Sequence, residues 1–335
     1  MEWGMKLVKQ VRVALGTGIV LGLWRGQLAT PPTTAHLLTY HESRCDANCQ
    51  FCPQARGSTA DMKMLSRVVW PCCDFERVLS AFEEKNGEFA RICIQTVNYK
   101  GVIGDVCELA ARIKDKCEAP ISVSCQPLAA EDIKRLADTG VDRVGIALDA
   151  ATPELFDRLK GKSVGSSYTW EGHISALDDI CKTFQDKVST HLIVGLGESE
   201  EEMAQTIQLL HDRGITIGLF AFTPIAGTSL ANEPQPDLAN YRRIQLARYL
   251  IANGISEAKR MTFEGGKIVD FGASREELCT AVNSGEPFRT TGCPSCNRPF
   301  YNESPRGPIY NYPRKPTSKE IAVIRGQLEN LYNLK

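Results

Sequence analysis

Apolar positions recur along this chain with two different periods. Near-continuously apolar or β-branched runs occupy residues 35–41, 90–97, 121–126, 143–149, 188–194 and 216–223, the pattern of parallel strands buried on both faces. Residues 131–139, 153–159, 170–184, 199–213 and 238–253 carry the helical period instead. The first of these stops at Gly140; the fourth opens at Ser199, with Glu202 at capping-box spacing, and stops at Gly214. At least six strand–helix units in series predict one α/β barrel or doubly wound sheet, not two unrelated domains. Residues 13–24 are apolar but broken by Gly16, Gly18 and Gly22. They predict an N-terminal helix packed on the core, too short to span a bilayer. Residues 285–317 are rich in Pro, Gly, Asn and Arg and predict an irregular segment lying over the rest, before a final helix at 318–332. The expected divisions are an N-terminal extension (1–34), a barrel (35–284) and a C-terminal segment (285–335).

Charge narrows the function. With 39 Lys+Arg against 40 Asp+Glu, the chain lacks the basic surplus that a general nucleic-acid binder needs. At 43% hydrophobic and 24% charged residues, it has enough apolar surface to exclude disorder as its dominant state. The basic tract from Tyr241 through Arg242 and Arg243 to Arg248 predicts a solvated helix face, with an acidic partner as the alternative. The thirteen cysteines are the anomaly. No small-residue cleavage site follows the apolar N-terminal stretch, so a cytoplasmic location is expected. The cysteines then read as metal ligands and buried thiols, not as a disulfide frame.

Cys45, Cys49 and Cys52 follow the first predicted strand with C-x3-C-x2-C spacing, and Pro53 and Gln54 come directly after. In parallel α/β folds, chemistry gathers at the carboxyl ends of the strands. A structural zinc site supplies four ligands, and a ferredoxin supplies four cysteines per cluster. Three cysteines suit a cluster with one open iron that a small molecule completes.

This spacing and placement resemble the radical S-adenosylmethionine (SAM) superfamily. The resemblance implies a TIM-like (β/α) barrel, with Cys45, Cys49 and Cys52 holding a [4Fe–4S] cluster and SAM on its open iron. It also implies a low-potential ferredoxin or flavodoxin as electron donor and a 5′-deoxyadenosyl radical as the hydrogen-abstracting species. Phe51-Cys-Pro-Gln54 is similar to biotin synthase within that superfamily, as are the turn 194–198 and the loop 224–230. On that likeness Gly195, Gly197 and Glu198 shape the SAM pocket, and Ile225 and Gly227 lie in the loop lining the adenine. Asp149 meets the ribose, its alternative being a helix N-cap before residue 153. His173 stands where the family has an Arg for the SAM carboxylate, its alternative being a half-buried helix histidine. The family's Gly-Gly-Glu motif is replaced by Gln95-Thr96. Cys93 and Cys125 fit two ligand positions of biotin synthase's second cluster, but the third is Ser189.

A second pair, Cys293 and Cys296, lies in a Cys-Pro-Ser-Cys-Asn-Arg-Pro run that includes Arg298. Alone it reads as a redox pair, half a zinc site or half a cluster site. The expectation is that it folds over the barrel mouth and ligates an auxiliary [4Fe–4S] cluster with Cys93 or Cys125. This run is similar to the two-protein lipoyl synthases of archaea and some bacteria. That resemblance implies sulfur insertion into an octanoylated lipoyl-carrier protein, shared with a second radical SAM protein. The alternatives are biotin synthase, a radical SAM enzyme without sulfur insertion, and a non-catalytic iron–sulfur or zinc module. The other cysteines (72, 73, 107, 117, 181 and 279) are expected as buried or half-exposed thiols, mostly on helices.

Overall fold

The computed structural model describes residues 7–328. In chain order the first elements are β1 (Gln10–Val13), α1 (Leu15–Val20), β2 (Thr34–Thr39), a hairpin of β3 (Met64–Leu65) and β4 (Val68–Val69), β5 (Cys72–Asp74) and α2 (Phe75–Glu84). Then come β6 (Arg91–Gln95), α3 (Val102–Lys114), β7 (Ile121–Cys125), α4 (Ala130–Asp138), β8 (Arg143–Ile146), α5 (Pro153–Lys160) and α6 (Trp170–Phe184). The last are β9 (Val188–Val194), α7 (Glu200–His211), β10 (Thr216–Ala221), α8 (Leu238–Ala252), a hairpin of β11 (Thr262–Glu264) and β12 (Lys267–Asp270), α9 (Arg275–Ser284) and α10 (Ser318–Leu328).

All six expected strands form, and they lie side by side in one sheet ordered β10-β9-β8-β7-β6-β2-β1-β5. Neighbours from β2 to β10 pair in parallel, while β1 is antiparallel to both β2 and β5. Sequential parallel strands joined by helices make this an α/β fold of the TIM-like type. One set of alternating strand residues packs outward under the helices: Leu37, Ile94, Val123, Val144, Leu192 and Leu219 are all at most 1% exposed. The other set lines the concave face and supplies the site. Helix starts follow local chemistry. Thr152 and Thr169 cap α5 and α6, and Ser199 with Glu202 forms the expected capping box of α7.

Three expectations need correction. The stretch 13–24 is not one helix. It holds only six helical residues after the sheet strand β1, because Gly22 turns the chain at φ 73° and Trp24 packs back against Gly18. The tract 241–248 is not a solvated face: Tyr241 and Arg242 are buried, and Arg243 forks onto the buried carboxylate of Glu200. Arg242 donates to Tyr310 O at 2.6 Å and lies over the rings of Phe288 and Tyr312, so it anchors the C-terminal segment. Cys72, on a strand with Cys73, is exposed and not the buried or half-exposed thiol expected, because β5 is the outermost strand of the sheet. The final expected helix runs to Leu328, and residues 329–332 lie outside the described residues. No helix among the described residues is long and apolar enough to cross a membrane.

The irregular segment 285–317 solves a problem of the open sheet. Among the described residues, the outer edge of β10 has no strand partner. Thr291 accepts from Leu219 N of β10 at 2.9 Å. Across the gap, Asn297 accepts from Thr33 N at 2.9 Å and donates to Pro31 O at 2.9 Å, just before β2. Farther along, Ser66 and Arg67 of the first hairpin donate to the carbonyls of Tyr301 and Phe300 at 2.9 Å each. The segment bridges the two ends of the parallel sheet without being a strand. Positive φ at Ser295, Arg298 and Phe300 breaks any strand register.

Candidate active site

Cys45, Cys49 and Cys52 sit on the loop that leaves the carboxyl end of β2. Backbone bonds fold this loop on itself: Cys45 N donates to Gln54 O at 3.0 Å, and Cys52 N to Cys49 O at 3.0 Å. The loop is clamped from outside by residues 224–230. Thr59 N donates to Gly227 O at 2.8 Å, and Ser58 Oγ reaches the same carbonyl at 3.0 Å. At Gly227, φ is 86° and an added Cβ would stand 2.5 Å from Ala60 N, so only glycine permits this approach. Ile225 is buried beneath the loop, its carbonyl taken by the Thr228 hydroxyl at 2.8 Å.

The three thiols are electrostatically unusual. Burial pushes Cys52 up to about 12 and raises Cys45 and Cys49, while the Lys160 ammonium pulls Cys49 and Cys45 back. Asn98 N donates to Cys45 Sγ at 3.2 Å, a bond that favours the thiolate form. Buried thiols with a nearby cation and no side-chain hydrogen-bond partner fit a cluster that binds them deprotonated.

Lys160 was not anticipated from the sequence. It is 1% exposed and donates to Asp149 Oδ2 at 2.8 Å and to Ala147 O. Its position at the last residue of α5 was the only available signal, because a lysine ending a helix ordinarily reaches solvent. Asp149 is not a helix cap, since Thr152 fills that role. It has φ 69° and forms an isolated bridge to β9, its N–H donating to His191 O at 2.8 Å and its carbonyl accepting from Ile193 N at 2.8 Å. That wedge aims the carboxylate into a central cavity.

His173 is placed elsewhere. It is fully buried on α6 between the rings of Phe156 and Tyr168, at 4.7 and 5.3 Å. Its Nδ1 lies 3.1 Å from Thr169 O, and Nε2 has no partner. Burial, with Lys160 nearby, lowers its pKa to about 2. It is therefore neutral and does not supply the charge that a guanidinium would give a carboxylate. Gly195 and Gly197 form a tight turn at φ 101° and 118°. The Glu198 carboxylate accepts from Gly195 N at 2.6 Å and Leu196 N at 3.0 Å. These three residues build the turn, and both carboxylate oxygens are already engaged.

The central cavity, of about 190 Å³, is lined by Cys52 together with Cys93, Cys293 and Cys296. Its apolar wall includes Phe51, Leu65, Ile193, Phe220 and Phe222, and Asp149 and His191 also face it. Burial raises the Cys93 thiol well above its usual range, and the neighbouring Cys293 and Cys296 add to that. Ser122 Oγ donates toward Cys293 Sγ at 3.8 Å, and His36 Nε2 lies 3.8 Å from Cys296 Sγ. Ser122 and His36 belong to the early parts of their strands, and both cysteines also line a second cleft with Thr216 and Ile217. The pair therefore enters the barrel near the strands' amino ends and does not fold over the mouth. The bridging path described above fixes it there.

Cys125 does not join this group. Cys93 pairs in register with Ser122, and Gln95 with Ser124, so Cys125 falls on the opposite face of β7. It is buried, its thiol 3.9 Å from Gly145 O and pushed up to about 12 by burial. Ser189 does line the cavity. Arg298 packs over the Phe220 ring at 3.8 Å and donates to Thr291 O at 2.6 Å, so it braces the cysteine turn. Among the described residues, no three His, Cys, Asp or Glu side chains stand close enough to hold a single metal ion. A cluster spans more than one ion, because each of its ligands binds a separate iron. On donor set and placement, Cys93, Cys293 and Cys296 fit part of such a group.

Comparison with known proteins matches residues 40–210 to a family described as the radical SAM superfamily. A protein named biotin synthase from Clostridium botulinum (strain Hall) is 23% identical over 259 residues, covering 74% of this chain and 76% of its own. Another biotin synthase, from Paramagnetospirillum magneticum, is 26% identical over 223 residues, covering 64% of each. Among solved structures, methylornithine synthase aligns at TM-score 0.51 and 14% identity, covering 93% of this chain and 85% of its own. The FeFe-hydrogenase maturase of Carboxydothermus hydrogenoformans aligns at TM-score 0.50 and 16% identity over 63% of this chain. This chain spans about half, 49%, of that maturase. At these identities the two structures speak for the fold alone.

Proposed function

The chain belongs to the radical SAM superfamily, and from that premise we propose that it inserts sulfur into the octanoyl chain of a lipoyl-carrier protein, working with a second radical SAM protein. Membership implies a [4Fe–4S] cluster and SAM. The observation that supports the finer reading is a single cavity lined by Cys52 and also by Cys93, Cys293 and Cys296. When bound, the SAM-binding cluster would supply the electron that cleaves SAM to a hydrogen-abstracting radical, and an auxiliary [4Fe–4S] cluster would supply sulfur.

The chain's own residues do the rest. Cys45, Cys49 and Cys52 hold the first group; Cys93, Cys293 and Cys296 hold part of the second. Asp149, fixed by Lys160, has a second carboxylate oxygen to accept from ribose hydroxyls. Phe51, Ile193, Phe220 and Phe222 offer an apolar wall suited to an alkyl chain without polar groups. Enclosure keeps water from a reactive carbon, and placement between the two cysteine groups selects which hydrogen is taken. A low-potential ferredoxin or flavodoxin donates the electron.

The biotin-synthase reading has its own support in the relatives so named, but Ser189 stands where that pattern has a cysteine. The deciding experiment is anaerobic assay with SAM and reductant on an octanoyl-lysine carrier and on dethiobiotin, with and without a companion radical SAM protein. A thiolated octanoyl chain is expected. Thiolated dethiobiotin favours the second reading, and 5′-deoxyadenosine with sulfur in neither substrate overturns both.

A further inference from the structure

We infer that His36 is the fourth protein ligand of the second metal centre, binding through Nε2 beside Cys93, Cys293 and Cys296. This rests on the reading that those cysteines hold a cluster. His36 lies on β2 directly opposite Cys93 of β6 in the sheet register, so both side chains point to the same concave face. His36 is 1% exposed and lines the same cavity as the three cysteines. Cys296 Sγ lies 3.8 Å from Nε2, the Arg298 guanidinium is nearby, and among the described residues Nδ1, close to the Thr34 backbone, makes no hydrogen bond of ordinary geometry. Around it are the rings of Tyr301, 5.2 Å away, and Trp70, 6.4 Å away. A buried imidazole so weakly hydrogen-bonded is costly, and imidazole is a good iron ligand.

Two competing groups near the cysteines are already engaged, whereas the Thr34 hydroxyl, also in the cavity, makes no hydrogen bond of ordinary geometry among the described residues and is the weaker iron ligand as a neutral alcohol. Ser122 Oγ accepts from Arg91 Nη1 at 2.9 Å while donating toward Cys293. The Arg298 guanidinium is held by Thr291 O and the Phe220 ring. His191 also faces the cavity, from β9, but it is His36 whose Nε2 stands 3.8 Å from a cysteine sulfur. Ligation by His36 needs no redox partner: the Nε2 lone pair binds iron, and the proton stays on Nδ1. A neutral imidazole in place of a thiolate leaves the cluster one charge less negative, which raises its reduction potential.

The test uses full-length protein with Cys45, Cys49 and Cys52 changed to Ala, so that only the second centre can hold iron, grown with 15N-histidine. Pulsed EPR of the reduced cluster is expected to show one strongly coupled nitrogen. His36→Ala removes it. His36→Cys keeps the iron content, removes the nitrogen coupling and lowers the reduction potential, which separates ligation from misfolding. Iron retained without nitrogen coupling, or coupling that survives in both His36 variants, overturns His36 as ligand and leaves the second centre standing. No iron in the triple variant overturns the second centre itself, and His36 with it.

Discussion

The two cysteine groups reach one cavity by opposite routes. Cys45, Cys49 and Cys52 lie within one short loop folded by bonds between near neighbours such as Cys52 N to Cys49 O, with distant residues such as Gly227 only clamping its outside. Cys293 and Cys296 are held by residues far away in the chain: Thr33 N to Asn297 is a contact across 264 positions, and Ser122 to Cys293 one across 171. The first group is a local motif on a finished scaffold. The second exists only once the barrel has formed and the C-terminal segment has crossed its open edge. Local spacing can therefore fix one metal site, whereas the other depends on tertiary closure and is the more sensitive to anything that loosens the segment.

The strongest way to break this comparison is to remove one group and keep the other. Cys293→Ser with Cys296→Ser is expected to lose about four irons per chain and all sulfur transfer, while reductive SAM cleavage continues at the first site. Iron analysis and 5′-deoxyadenosine release check this, and loss of both activities together contradicts the separation. Next is the buried ion pair. Asp149→Asn leaves the Lys160 ammonium unpaired in a site where it is 1% exposed. Removing one partner of such a pair costs about 3–5 kcal/mol. Denaturant titration should show that loss, and adding Lys160→Met should recover most of it.

Gly227→Ala should weaken the clamp on the first cysteine loop by about 1–3 kcal/mol, because φ 86° and the approach to Ala60 both exclude a Cβ. Its signature is lower iron occupancy at the first site with the second unchanged. The smallest effect sharpens the other side. Glu303 accepts from Tyr310 N and Asn311 N at 3.2 and 3.3 Å, and burial pushes it up to about 7. The folded chain then keeps a proton that the unfolded chain, with a carboxyl near 4.5, has released. The stability from Glu303 is present below about pH 4.5 and is lost as pH rises through about 7. Hydrogen exchange in residues 286–312 should quicken beyond the ordinary base catalysis over that range. Glu303→Gln should flatten the extra dependence and the accompanying change in melting temperature of a few degrees, on the order expected for a domain of this size.

Much of this was legible in the residues. The six parallel strands, the helix Trp170–Phe184 and the capping box at Ser199 follow from period and cap chemistry, which are local. What escaped was set by distance or by parity. Cys125 looked equivalent to Cys93, yet a shift of one residue along β7 turns it to the other face of the sheet. Lys160 reads as an ordinary helix-ending lysine until the fold buries it against Asp149. Arg242 and Arg243 read as a solvated face because nothing local reveals that the C-terminal segment and Glu200 cover them. The strand β1, paired with both β2 and β5, lies almost wholly before the apolar run 13–24, and the glycines of that run cut the helix short.

The most direct measurement is iron and labile sulfide content, with Mössbauer spectra, on anaerobically reconstituted protein in which Cys45, Cys49 and Cys52 are all Ala. The account predicts a remaining cubane of about four irons per chain, lost when Cys293 and Cys296 are changed as well. Protein that folds normally but holds no iron would contradict a second cluster and, with it, sulfur insertion from the C-terminal segment.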